Sequence, residues 1–136
     1  MIEHQNTGFY GLPAVSEKGV KIGEHNIPFE IEEPEDADQP ITNQEEEVIN
    51  RCASDIFPML GKRHQFVKTC LYAVTPDHHF ILDQHPNHRN VLLAGGFSGH
   101  GYKFATVVGE IMSDLALEEK TNLPIDFLSL GRFFGK

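Results

Sequence analysis

The sequence predicts an α+β fold, with antiparallel strands in its first part and a strand–turn–helix unit in its second. Three observations carry this. Val91 to Ala94 is an unbroken apolar run, followed by a glycine-rich stretch from Gly95 to Gly101. Phe104, Ala105, Val108, Ile111, Met112 and Leu115 then recur at helical spacing. Near the start, residues 8–15 and 19–25 are short segments flanked by glycine and proline, which reads as two antiparallel strands joined by a short turn.

The other elements follow in order. Residues 27–41 are acidic and contain Pro28, Pro34 and Pro40, so they should be mostly loop. Thr42 is placed to cap a helix, and Glu45 three residues later completes a capping box. Glu45, Glu46 and Glu47 favour the positive end of the helix dipole. Val48, Ile49, Cys52 and Ile56 form its apolar face, and Pro58 ends it. Strands are expected at about 65–74, 80–83 and 90–94, and a last long helix at about 100–118.

Composition bounds the function. The 136 residues carry a net charge of −9, which argues against nucleic acid and against anionic membranes as partners. No apolar run is long enough for a membrane helix, and no basic-then-apolar leader is visible. Two cysteines, Cys52 and Cys70, make no disulfide framework, so a cytoplasmic location is the expectation. His78, His79, His85 and His88 cluster around Pro76, Pro86 and Asn87, without metal-ligand spacing, and no metal site is expected.

The glycine stretch is the strongest candidate site. A strand, a glycine turn and a helix start expose free backbone N–H groups, which receive anions and carbonyl dipoles. Lys103 lies in the first helical turn, where a cation opposes the macrodipole and needs a negative ligand to justify it. Neither the dinucleotide fingerprint nor the P-loop pattern is met: Gly99-His100-Gly101 is followed by Tyr102-Lys103-Phe104. Many such turns bind nothing. From the residues alone, Cys70 reads more readily as a packed thiol and Lys21 as a solvated lysine.

Several separated motifs change that balance. Phe9-Tyr10-Gly11-Leu12-Pro13, Gly19-Val20-Lys21-Ile22-Gly23-Glu24-His25 and Lys68-Thr69-Cys70-Leu71-Tyr72 occur in order. Thr75-Pro76-Asp77, Phe80-Ile81-Leu82-Asp83, His85-Pro86, Gly95 to Phe104, Val108-Gly109-Glu110 and Phe127 to Phe133 follow. This series resembles the C-terminal part of the monomeric sarcosine oxidase and N-methyl-L-tryptophan oxidase family, over nearly the whole chain except the acidic middle. The ending Leu128 to Phe133 looks more like the N-methyltryptophan branch.

The resemblance implies an FAD-dependent amine oxidase. Such enzymes take a hydride equivalent from the C–N bond of an N-methyl amino acid and return the electrons to O2, giving H2O2. It implies covalent flavin attachment at Cys70, with Gly99, His100 and Gly101 against the flavin pyrimidine. Lys103 would hold the substrate carboxylate, Lys21 would assist oxygen activation, and Tyr10 and His25 would line the substrate pocket. Lys68, two residues before Cys70 on an extended strand, would supply a cation on the same side. Residues 1–64 would belong to a substrate-binding domain and 65–136 to an FAD-binding domain.

The family's Rossmann segment, G-x-G-x-x-G, has no counterpart in this sequence. The resemblance therefore makes Met1 an internal methionine and the chain a part of a larger oxidase, inactive by itself. The alternative is a non-catalytic remnant that acts as a self-associating module. Either way, apolar faces left without a partner sheet should drive formation of a homo-oligomer.

Overall fold

The computed structural model describes residues 2–4, 7–15, 19–25, 30–38, 40–60 and 64–134. The chain divides into two compact units, Met1–Leu71 and Tyr72–Lys136. The architecture is α+β, as expected.

The first unit is built on a three-stranded antiparallel sheet of β1 (Ile2–His4), β2 (Thr7–Leu12) and β3 (Lys21–His25), in that order. Strand β2 stops at Leu12 because Pro13 has no N–H for a further ladder bond. The turn residues 16–18 and the first part of the acidic stretch, 26–29, lie outside the described residues. Residue 39 also lies outside them; residues 30–38 and 40–41 are irregular apart from one 3-10 turn at Pro34–Asp38.

Helix α1 (Asn43–Ile56) starts where the capping box requires. The Thr42 hydroxyl accepts from the Glu45 amide at 3.3 Å, and the Glu45 carboxylate accepts from the Thr42 amide at 2.7 Å. That second bond lowers the Glu45 carboxyl below its ordinary range. Phe57 leaves the helical region because Pro58 disfavours α geometry in the residue before it. The helix lies against β3, and His4 of β1 pairs with Asp55 at 3.0 Å. Phe9 and Cys52 are the buried apolar residues of this unit.

The second unit contains a hairpin of β4 (Ile81–His85) and β5 (His88–Gly95), turning at Pro86–Asn87. A 3-10 turn, Tyr102–Phe104, leads into helix α2 (Ala105–Glu118), which ends on Glu119 in the left-handed region. The α-helix begins five residues later than the expected His100. Ser98 and Gly99 are left-handed and Tyr102–Phe104 is 3-10, so no α turn can form before Ala105. Phe80, Leu82, Ile111 and Leu128 form the core, with Phe97, Val107, Val108, Met112 and Leu115 packed around them.

The C-terminal strap, residues 126–134, is clipped to the hairpin side. The Asp83 carboxylate accepts from the Ser129 hydroxyl and the Leu130 amide, both at 2.8 Å. Arg132 grips Asp77 through two nitrogens, at 2.7 and 3.1 Å, and donates to the His79 carbonyl at 2.9 Å. The Arg132 hydrogen bonds hold the Asp77 carboxyl well below the usual carboxylate range.

One expected element does not form. Residues 65–74 make no strand: Gln65 to Leu71 are exposed and irregular. An apolar run becomes a strand only where a neighbouring edge offers its N–H and C=O groups. Here the Ala73 carbonyl accepts one bond from the Ser98 amide, and among the described residues no ladder forms.

Candidate flavin and substrate site

In the first unit, strand register assembles three of the expected site residues. Gly8 pairs with His25, Tyr10 with Gly23 and Leu12 with Lys21. Cross-strand partners share a face, and alternate residues of one strand do too. Tyr10, Lys21 and His25 therefore lie on one face of the sheet, opposite the buried Phe9. The Lys21 Nζ stands 5.1 Å from the Tyr10 ring centroid, a cation–π arrangement. A Cβ on Gly23 would sit 2.6 Å from that ring, so the absence of a side chain is what lets the ring lie across β3.

The two cysteines are in opposite settings. Cys52 is buried on α1, where desolvation, aided by the negative charge of Asp55, pushes the thiol up. Cys70 is free and exposed. It is not in a strand, so strand alternation does not place Lys68 on its side: without a ladder the two-residue period has no hold on side-chain direction.

In the second unit the glycine stretch forms a strained turn. Gly96, Ser98 and Gly99 have φ of 61°, 48° and 76°. The Ser98 amide donates to the Ala73 carbonyl at 3.0 Å, and its hydroxyl donates to the Gly96 carbonyl at 3.1 Å. The Thr75 amide donates to the Ser98 hydroxyl at 3.4 Å, and the Thr75 hydroxyl to the His79 carbonyl at 2.7 Å. The His100 Nδ1 lies 3.0 Å from the Ser98 carbonyl. A Cβ on Gly99 would lie 2.5 Å from the Tyr72 ring, and one on Gly101 2.6 Å from Phe97. Among the described residues, the amides of Gly99 and Gly101 make no backbone hydrogen bond.

Lys103 lies in the 3-10 turn directly after this stretch, exposed, with its Nζ 5.4 Å from the Phe104 ring centroid. It lines an apolar cavity of about 270 Å³ with His79, His100, Phe80, Val107, Ile111 and Leu128. Thus His100 and Lys103 share one cavity wall, while Tyr10, Lys21 and His25 share one sheet face in the other unit. Ser98 and Thr75 were not anticipated from the sequence. The signal was a polar residue inside a glycine run, which burial alone turns into a structural knot.

The histidine cluster gathers no metal set. Among the described residues, no group of three or more His, Cys, Asp or Glu is placed to hold an ion. His85 and His88 stack with centroids 4.9 Å apart across the hairpin turn. The His85 Nδ1 accepts from the Asn87 amide at 3.2 Å, so in the neutral ring the proton is on Nε2, where a metal would otherwise bind.

In the second unit, a turn whose Gly99 and Gly101 amides make no backbone hydrogen bond among the described residues suits a ring edged with carbonyl groups; in the first, Cys70 is an exposed thiol. These residues fit a flavin. Residues 1–115 match the family model described as FAD dependent oxidoreductase. The chain belongs to this family. Within it, the chain is 37% identical over 134 residues to monomeric sarcosine oxidase from Bacillus sp. (strain NS-129), covering 97% of this chain and 34% of that protein. Peroxisomal sarcosine oxidase of Mus musculus is 36% identical over 128 residues, or 91% of this chain and 32% of that one. N-methyl-L-tryptophan oxidase of Escherichia coli O157:H7 is 37% identical over 131 residues, or 92% and 33%. The chain spans about a third of the length of these curated relatives.

No helix among the described residues is long and apolar enough to cross a membrane.

Proposed function

We propose that this chain supplies the flavin-attachment and substrate-carboxylate elements of an oxidase acting on an N-methyl amino acid, of the N-methyltryptophan or sarcosine type. The observation that carries the reading is the glycine turn, with Gly99 and Gly101 amides that make no backbone hydrogen bond among the described residues and Lys103 two residues on. FAD, when bound, accepts the hydride equivalent from the substrate C–N bond and passes the electrons to O2, giving H2O2.

The chain's own residues would do the following. Cys70 would hold the cofactor as a thioether, the thiol proton and one hydrogen of the ring methyl being lost and the two electrons passing to O2; its exposure supports this, since a nucleophilic thiol has to be reachable. Gly99 and Gly101 donate amide N–H groups to a carbonyl edge, with His100 beside them. Lys103 pairs its ammonium with the substrate carboxylate. Lys21 stabilises the negative charge that develops on oxygen. Tyr10 and His25, on the same sheet face as Lys21, line the substrate.

The test uses the flavin-loaded protein. Cys70→Ala should yield protein whose flavin is released by acid precipitation, and Cys52→Ala should leave the linkage intact. Lys103→Met should weaken substrate binding by about 1.5–3 kcal/mol, roughly ten- to hundredfold. Lys21→Met should slow reoxidation far more than reduction in stopped-flow absorbance. Retained flavin in Cys70→Ala, or slowed reduction with normal reoxidation in Lys21→Met, would overturn the corresponding role.

The second reading is a self-associating, non-catalytic module. Exposed Leu12, Val15, Met59 and Phe66 favour it, because apolar surface of this kind drives association. A clean monomer in light scattering at high concentration would count against it.

A further inference from the structure

We propose that Ser98 is a positioning residue for the cofactor turn, and that through its carbonyl it fixes the proton on His100. This rests on the reading that the turn receives a flavin. Three observations carry it. Ser98 is 2% exposed, yet it holds a left-handed φ of 48° that a residue with a Cβ rarely adopts. Such strain persists only where the surroundings over-determine it. Here they do: the Ser98 amide and hydroxyl reach Ala73, Gly96 and Thr75, and Thr75 is itself 5% exposed and tied to His79. The knot therefore joins residues 73–75 to the turn that carries Gly99 and Gly101.

The third observation is the 3.0 Å contact between the His100 Nδ1 and the Ser98 carbonyl. A carbonyl only accepts, so Nδ1 must carry the proton. In the neutral ring Nε2 is then an acceptor. The ring is further held by packing on Phe80, with centroids 5.0 Å apart. The turn thus offers donors from its uncovered amides and one acceptor from His100. A ligand edge bearing both carbonyl oxygens and an N–H, as an imide does, matches this set. Ser98 need not touch that ligand. It aims the groups that do.

The test reads the ligand-free chain first. ¹⁵N NMR of the His100 ring, at about pH 8 and so above the ordinary imidazole range, should show the Nδ1–H tautomer alone. Ser98→Ala and Thr75→Val should each give mixed tautomers. Exchange of the Ser98 and His100 amides, which donate to Ala73 and Phe97, should speed up roughly five- to tenfold, the size expected for one lost hydrogen bond. Thr75→Ser, which keeps the hydroxyl, should restore the single tautomer. A knot that only stabilised the fold would lower the melting temperature and leave the tautomer unchanged. If Ser98→Ala does not fold, the Thr75 pair carries the same comparison. An unchanged tautomer and unchanged exchange in the variants that fold would overturn the proposal. A second arm titrates FAD into the chain and follows flavin fluorescence. Weaker binding by Ser98→Ala alongside mixed tautomers supports the link to flavin. If FAD binding is unchanged in Ser98→Ala despite mixed tautomers, the link to flavin fails separately, and the tautomer result still decides the role of Ser98.

Discussion

Gly23 and Gly99 each lie beneath a tyrosine ring, one in each unit of the chain. The Tyr10 ring crosses Gly23 in a regular strand, and the Tyr72 ring crosses Gly99 in a left-handed turn. At Gly23 only space is at stake, because the strand backbone suits any residue. At Gly99 space and backbone are both at stake, because φ is 76°. Two candidate sites are thus built by different means. The face bearing Tyr10, Lys21 and His25 is set by strand register, which a ladder of backbone bonds enforces. The turn bearing Gly99, His100 and Gly101 is set by a buried polar knot that holds a strained backbone.

Substitution at these glycines should separate the two means. Gly99→Ala should have the largest effect, combining left-handed strain with overpacking against Tyr72, for a loss of roughly 2–4 kcal/mol. Hydrogen exchange resolved by segment should place that loss in residues 72–134. Gly23→Ala should cost about 1–3 kcal/mol from overpacking alone. Its exchange effect should stay in β2 and β3, and the Lys21 contact with the Tyr10 ring should be lost. Equal losses for the two alanines would show that strain at Gly99 is not being resisted by the knot.

Smaller effects test how local each unit is. Thr42→Ala removes the cap of α1 and should cost about 1 kcal/mol, read as fraying of the first helical turn by amide exchange. The turn around Ser98 should not respond. The smallest effect is expected from pH. The Asp77 carboxyl is depressed chiefly by Arg132, so the clip stabilises the protein fully above the ordinary carboxyl range near pH 4. That contribution is lost as pH falls through the depressed value. Unfolding measured from about pH 5 downward should show the strap loosening in acid. Arg132→Met should flatten that dependence.

Much of the local structure was legible in the sequence. Thr42 and Glu45 named the start of α1, and Pro58 its end, because capping and proline geometry act within four residues. The pair of strands around Gly8 and His25, the two strands near 80–83 and 90–94 and the last helix were legible from period and punctuation, while the pairing of those two strands into a hairpin was not. The strand at 65–74 was misjudged, because an apolar run states what a segment could do and not which edge it meets. The helix start at His100 was misjudged because Ser98 reads as an ordinary polar residue until its φ is known. The glycine turn and Lys103 stood out from the residues themselves, whereas the roles proposed for Cys70, Lys21, Tyr10 and His25 came only through the resemblance, since a lone cysteine or lysine carries no spacing.

By itself, then, the sequence determined the α+β class, the places of both helices and of four of the strands, the cap and stop of α1, and the family motifs. These depend on interactions between near neighbours along the chain. The tertiary structure alone decided that Tyr10, Lys21 and His25 share a face and that Cys52 is buried while Cys70 is exposed. It also decided that Ser98 is tied to Ala73 and Thr75, 25 and 23 residues away. Those outcomes depend on strand register, burial and pairing between distant segments, and no local pattern specifies which partner a polar atom meets once water is excluded.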